Sequence, residues 1–138
     1  MIDDDFARGT LFVLVADGIC QATVALDAYE PEEYKQVIWT ADAPALVVHR
    51  LCVDPQWQGL GLAKRMMEFA EVCAVEHRYA SIRLDAYTAN PAAVCLYRDR
   101  GYREAGSVFF PRRSLPSVCF ERAVNERINR PPNEHWSK

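Results

Sequence analysis

The chain has 138 residues, half of them hydrophobic and a quarter charged, enough for one domain with a real core and too apolar for general disorder. Nineteen acidic residues against sixteen basic ones give a formal charge of −3, without the basic excess that holds nucleic acid. No apolar run approaches the ~20 residues of a membrane helix, and the acidic start Asp3-Asp4-Asp5 is the opposite of a secretory signal.

The expectation is therefore a soluble cytoplasmic protein with no nucleic-acid or membrane partner. Its five cysteines (Cys20, Cys52, Cys73, Cys95, Cys119) are odd in number, widely spaced and without a CxxC pair. That predicts reduced, mostly buried thiols, with disulfides or a zinc site as the lesser alternatives.

Along the chain, Thr10–Ala16 and Ile19–Leu26 are β-branched and apolar around Asp17-Gly18, a hairpin signal. Residues 28–44 are polar and irregular, predicting a loop with one helical turn from Pro31. Ala45–Val53 is a near-continuous apolar run, as expected of a central strand buried on both faces. Residues 59–78 have helical period, with Leu62, Met66, Phe69 and Cys73 on one face. Ser81–Tyr87 alternates as a strand. Asn90-Pro91 starts a second helix, because Asn caps free N–H groups and Pro lacks the donor that would go unused. That helix stops at Gly101, and Tyr102–Phe110 and Ser117–Ala123 supply two last strands. The domain spans 1–124, and 125–138 is expected to be a frayed tail. The order β-β-β-α-β-α-β-β predicts an α/β fold around one mixed sheet, with 45–87 as a parallel crossover.

The sharpest feature is the strand ending at Val53 followed by Gln56-Trp57-Gln58-Gly59-Leu60-Gly61 at a helix start. Two glycines let the backbone approach a ligand, and the unpaired N–H groups of a first helical turn attract an anion such as pyrophosphate. On spacing alone, a tight connection explains the glycines equally well. Neither a P-loop nor a dinucleotide fingerprint fits: no Lys-Ser/Thr follows, and the third glycine is absent.

Gln56-x-x-Gly59-x-Gly61 resembles the signature of the GNAT N-acetyltransferase superfamily. Asn90-Pro91-Ala92-Ala93-Val94-Cys95-Leu96-Tyr97, continuing to Gly101-Tyr102, resembles that family's second helix motif. The two occur in the family's order with a strand between them. The resemblance implies acetyl-CoA as cosubstrate, no metal, and transfer of the acetyl group to a primary amine of a small molecule or protein by direct attack. It implies that Leu51, Cys52 and Val53 pair with the pantetheine arm. The amides of Gln56, Trp57, Gln58, Gly59, Leu60, Gly61 and Leu62 would hold the pyrophosphate, and Asn90 the cofactor arm. Tyr97 would protonate the departing thiolate. A strand amide, Val53 being the first choice, would stabilise the oxyanion.

The general base is left open between His49, which strict alternation places on the face of Leu51 and Val53, Asp85, and a water relay. Cys52 reads as structural, and Glu32 and Glu33 as solvated. Trp39, Tyr87 and the run Phe109–Arg113 are candidates to line the acceptor pocket, suiting an apolar body with a carboxylate; a surface aromatic and a solvated turn explain them equally well. The family's opening strand and helices have no counterpart before Thr10, which predicts open sheet surface and a homodimer. The alternative reading is a non-catalytic acyl-CoA-binding module, or a degenerate half of an assembly. Acyl chain length is not encoded in any of these residues.

Overall fold

The computed structural model describes residues 9–124; the segments 1–8 and 125–138, including the tail expected to fray, lie outside the described residues. Six strands and two helices follow in order: β1 (Thr10–Ala16), β2 (Ile19–Asp27), β3 (Ala45–Val53), α1 (Leu62–Glu76), β4 (Ser81–Tyr87), α2 (Pro91–Asp99), β5 (Arg103–Val108) and β6 (Ser117–Ala123). They build one mixed sheet in the order β1-β2-β3-β4-β6-β5. Only β3 and β4 are parallel, joined through α1; every other pairing is antiparallel.

Local chemistry accounts for the joints. Asp17 and Gly18 both take positive φ, 53° and 76°, as the hairpin between β1 and β2 requires. Asn90 caps α2 by accepting from the Ala93 amide at 3.3 Å, with Pro91 at the first helical position. At its other end Gly101 turns left-handed at φ 83°, and the Tyr102 amide donates to the Tyr97 carbonyl at 3.0 Å. Helix α1 starts at Leu62, later than the periodicity suggests, because Gly59 and Gly61 are both left-handed and Pro55–Trp57 forms a separate 3-10 turn. The strand expected over 102–110 is shorter at both ends, because Tyr102 belongs to the helix cap and 109–113 to a turn.

Both helices cover one sheet face. Val24, Leu26, Leu46, Ile82, Leu84 and Phe120 meet Met67, Ala70 and Ala74 of α1 and Val94 and Tyr97 of α2 in the larger core. The other face has a smaller core, where Tyr34 and Val37 cap Val47, Val108 and Cys119. Residues 28–44, polar in sequence, are thus an ordered cover that includes the 3-10 turn Glu32–Gln36.

Two buried charges on the sheet fasten that cover. Arg83 donates to Glu30 at 2.6 Å and to the Ala41 carbonyl at 3.4 Å, and its guanidinium lies 4.6 Å from the Trp39 ring. Glu121, 2 % exposed, accepts from the Thr40 and Ala41 amides, the Thr40 hydroxyl and Arg103. This cover changes two expectations. Ser81–Leu84 is buried throughout rather than alternating, and β3 is buried on both faces only over its first half. Of the five cysteines, all free, Cys73 and Cys119 are buried while Cys20, Cys52 and Cys95 are exposed. The first two sit on core-facing positions of α1 and β6; Cys52 and Cys95 occupy outward positions, and Cys20, which shares the parity of buried Ala22 and Val24, lies beyond the irregularity where β1–β2 pairing skips Gln21.

Candidate active site

β3 and β4 pair only from Ala45 to Val47 and from Ser81 to Arg83. Beyond that point they splay, so the β4-facing backbone groups of the second half of β3 have no strand partner. The same half of β3 carries a bulge. Thr23 pairs with Cys52 and Ala25 with His49, so Arg50 and Leu51 together oppose one residue of β2. Arg50 absorbs the extra residue in a left-handed conformation, φ 52°.

The bulge resets which residues share a face. Leu46 and Val48 point into the larger core before it, and Leu51 and Val53 pack there after it. His49 keeps the parity of Val47, on the opposite face. The expectation that His49 shares a face with Leu51 and Val53 is therefore corrected, because strict alternation does not survive the bulge.

A groove opens between the splayed strands and the helix starts. Leu51, Cys52, Val53, Trp57, Gln58, Gly59, Gly61, Leu62, Asn90 and Tyr97 line it, with Lys64 at the pyrophosphate end of the sequence motif. Gln56 and Leu60 do not. The Gln56 amide donates to the Asp54 carboxylate at 2.9 Å, the Trp57 amide to the Asp54 carbonyl at 2.8 Å and the Gln58 amide to Pro55 at 3.5 Å. Those three amides are already satisfied. The free ones among the described residues run from Gly59 to Lys64, where α1 starts with no side-chain cap. The left-handed glycines hold the turn that presents these amides.

A second cavity of about 540 Å³ adjoins the groove. Leu51, Asn90, Ala93 and Tyr97 line both spaces, so the two meet at these residues. Tyr97 is 5 % exposed, packed against Phe120 and Tyr102 at ring separations of 5.6 and 6.1 Å. Burial, with the charge of Asp85 in addition, pushes its phenol up to about 12. It stays protonated across the physiological range.

Asp85 lies in the wall of the second cavity and accepts from the Tyr34 hydroxyl at 2.7 Å. Burial raises its carboxyl above the ordinary range, while the Tyr34 hydrogen bond and the fields of His49 and Arg113 oppose that rise. Burial, reinforced by Asp85, raises the Tyr34 phenol well above its usual value, so Tyr34 acts only as a donor. His49 Nε2 lies 3.0 Å from an Asp27 carboxylate oxygen and 3.2 Å from the Tyr29 carbonyl. Both neighbours are acceptors, so Nε2 carries a hydrogen towards them.

Of the residues expected around an acceptor, Tyr87, Phe110 and Arg113 line this cavity. Trp39, Phe109 and Arg112 do not: Trp39 sits under the cover beside Tyr34, and Phe109 faces solvent. Arg50 is a lining residue that sequence reasoning missed, because no pattern announced the bulge. Glu32 is solvated and paired with Lys35 at 3.0 Å, and Cys52 has no basic partner. Burial and the charge of Asp85 push the Cys119 thiol up to about 12, an unreactive state. Among the described residues no group of three or more His, Cys, Asp or Glu side chains is placed to hold a metal, and no helix is long and apolar enough to cross a membrane.

Comparison with known proteins agrees with this geometry. A family model described as an acetyltransferase (GNAT) domain matches residues 7–104. The chain is 30% identical over 108 residues to the uncharacterized N-acetyltransferase YesJ of Bacillus subtilis (strain 168), covering 77% of this chain and 59% of that protein. Among solved structures, Ard1 from Thermoplasma volcanium superposes with a TM-score of 0.70 at 17% identity, over 88% of this chain and 76% of that one. The spermidine/spermine N-acetyltransferase SpeG from Vibrio cholerae gives 0.66 at 20% identity, over 88% and 70%. With the family model spanning well over half of its length and the splayed-strand groove in place, this chain belongs to the GNAT acetyltransferase family.

Proposed function

We propose that the protein transfers an acetyl group from acetyl-CoA to a primary amine. The observation that carries this reading is the meeting of groove and cavity at Leu51, Asn90 and Tyr97. A thioester held in the groove would present its carbonyl to an amine entering from the other side.

The groove residues fit the cosubstrate. Unpartnered backbone groups of β3 suit an amide-bearing arm laid alongside like an added strand. The free amides from Gly59 to Lys64, with the α1 dipole behind them, suit a pyrophosphate. Asn90 uses its side-chain oxygen on the Ala93 amide, leaving its NH₂ for the arm. Acetyl-CoA supplies an acyl group activated by the thioester.

Leu51, the strand residue lining both spaces, is the proposed oxyanion donor in place of Val53, which lines only the groove. Asp85 attracts the ammonium, and His49 Nδ1 takes up its proton. As the C–N bond forms and the C–S bond breaks, the Tyr97 hydroxyl donates its proton to the leaving sulfur, and the second proton shed by the acylated nitrogen restores the phenol. The assembly proposed is a homodimer in the cytoplasm, the partner chain covering the apolar outer face of β1.

A screen of primary amines with acetyl-CoA, read as free thiol and N-acetyl product, tests the reading. Amine-dependent thiol is the expected result. Acetyl-CoA binding by calorimetry without thiol release from any amine would leave the non-catalytic binding module instead. His49→Gln should lower kcat by ~10²-fold while acetyl-CoA binding by calorimetry is kept; a kcat that survives it and is lost in Asp85→Asn assigns the base to Asp85.

A further inference from the structure

The acceptor cavity contains charges of both signs. Asp85 stands in its wall, its carboxylate fixed by the Tyr34 hydroxyl at 2.7 Å. Arg50 and Arg113 line the same space from two different elements, the β3 bulge and the β5–β6 turn, and both are exposed at its rim.

These two arginines differ from five others on the strands and α2. Arg83, Arg98, Arg100, Arg103 and Arg122 each meet a carboxylate. Arg50 and Arg113 meet none among the described residues. Arg113 is nonetheless held in place. Its guanidinium lies over the Tyr87 ring at 4.3 Å, and its amide donates to the Phe110 carbonyl at 3.3 Å, closing the turn. Arg50 is placed by a left-handed φ of 52° at a bulge, a conformation that costs energy in a non-glycine residue and re-aims its side chain. Two arginines, one with its guanidinium held over Tyr87 and one with its backbone fixed at the bulge, thus line a space whose wall holds one carboxylate.

We propose that the acceptor is a small primary amine carrying its own anionic group, a carboxylate or a phosphate, with the ammonium at Asp85 and the anion between Arg50 and Arg113. This rests on the acetyl-transfer reading and adds the substrate class. A polycation such as spermidine would bring a second positive charge against two guanidinium groups and fits this rim poorly. A neutral amine would leave both arginines without a partner. Charge-assisted hydrogen bonds are worth about 10- to 100-fold in recognition.

The test compares kcat/KM for matched amines: glycine and 4-aminobutyrate against their methyl esters, 2-aminoethyl phosphate against ethanolamine, and spermidine alone. The two anionic series separate a carboxylate from a phosphate. At least one anionic amine should exceed its neutral partner by about 10-fold or more, and spermidine should be poor. Arg113→Gln and Arg50→Gln should collapse that ratio towards one, and Arg113→Lys should keep part of it. Acetyl-CoA calorimetry on each variant checks that it is folded. Equal or better turnover of the neutral partner in every pair, or of spermidine, overturns the inference while the acetyltransferase reading stands, as does a ratio that survives both glutamine variants. Thiol release from no amine at all, with acetyl-CoA bound, overturns both.

Discussion

Tyr97 illustrates how one side chain acquires its chemistry from its surroundings. Its backbone is fixed by the helix cap at Gly101, where its carbonyl accepts from Tyr102. Its ring is fixed by Phe120 and Tyr102, and its hydroxyl reaches the place where groove and cavity meet. Burial and Asp85 hold the phenol at about 12, so the hydroxyl stays protonated and offers its hydrogen to the negative charge that develops on the departing sulfur. Tyr97→Phe removes the proton and little else. Its kcat should fall by ~10²-fold while acetyl-CoA affinity by calorimetry stays close to wild type. A kcat equal to wild type would take Tyr97 out of the chemistry.

Among the elements, the cover over residues 28–44 and the bulge in β3 decide the site. The cover carries Tyr34, which fixes Asp85 from 51 residues away in sequence. It is fastened by Glu121. Burial alone would raise that carboxyl, but donors on Thr40, Ala41 and Arg103 outweigh burial and bring it down to about 2 from 4.5. A folded-state pKa below the unfolded one gives stability that is present above the unfolded pKa and lost as pH falls towards the folded one. The contribution is on the order of 3 kcal/mol, complete above about pH 5 and lost progressively below it. Urea denaturation of wild type and Glu121→Gln should therefore show a gap at pH 7 that shrinks from pH 4.5 downwards. A gap independent of pH would mean that the charge on Glu121 is not what holds the cover.

The elements also show what a sequence can convey. Gln56–Gly61 and Asn90–Gly101 were legible because each encodes a local backbone requirement: left-handed glycines, an Asn cap, a Pro at the first turn, a Gly stop. Two details of those motifs were not. The amides of Gln56, Trp57 and Gln58 are consumed by Asp54 and Pro55, which leaves the free amides at Gly59 to Lys64. Leu60 is exposed rather than at the groove. The helical turn expected from Pro31 is present, but nothing in 28–44 itself announces a cover, because its fastening charges, Arg83 and Glu121, sit on distant strands. His49 was assigned to the wrong face, and Arg50 was overlooked, for the same reason: one extra residue in β3 inverts the alternation on which both readings depend.

At the scale of the whole molecule, the two sheet faces are unequally covered. The helices cover one face, and the 28–44 segment covers the β3–β6 half of the other. Leu11, Val13 and Val15 of β1 and Ile19 of β2 are each more than half exposed, and β1 is an uncharged strand at the sheet edge. Uncharged edges with apolar faces favour association. Sedimentation should find a dimer that Val13→Lys dissociates without loss of fold. A monomer at all concentrations tested would remove the homodimer from the proposal.

The account turns on groove and cavity forming one reaction space. The most direct measurement is free thiol released from acetyl-CoA by the wild-type protein as primary amines are added, with N-acetyl product quantified alongside. One thiol per N-acetylated amine is the result predicted from the meeting of the two spaces at Tyr97. Acetyl-CoA bound in the groove, with no thiol released by any amine, is the result that would contradict it.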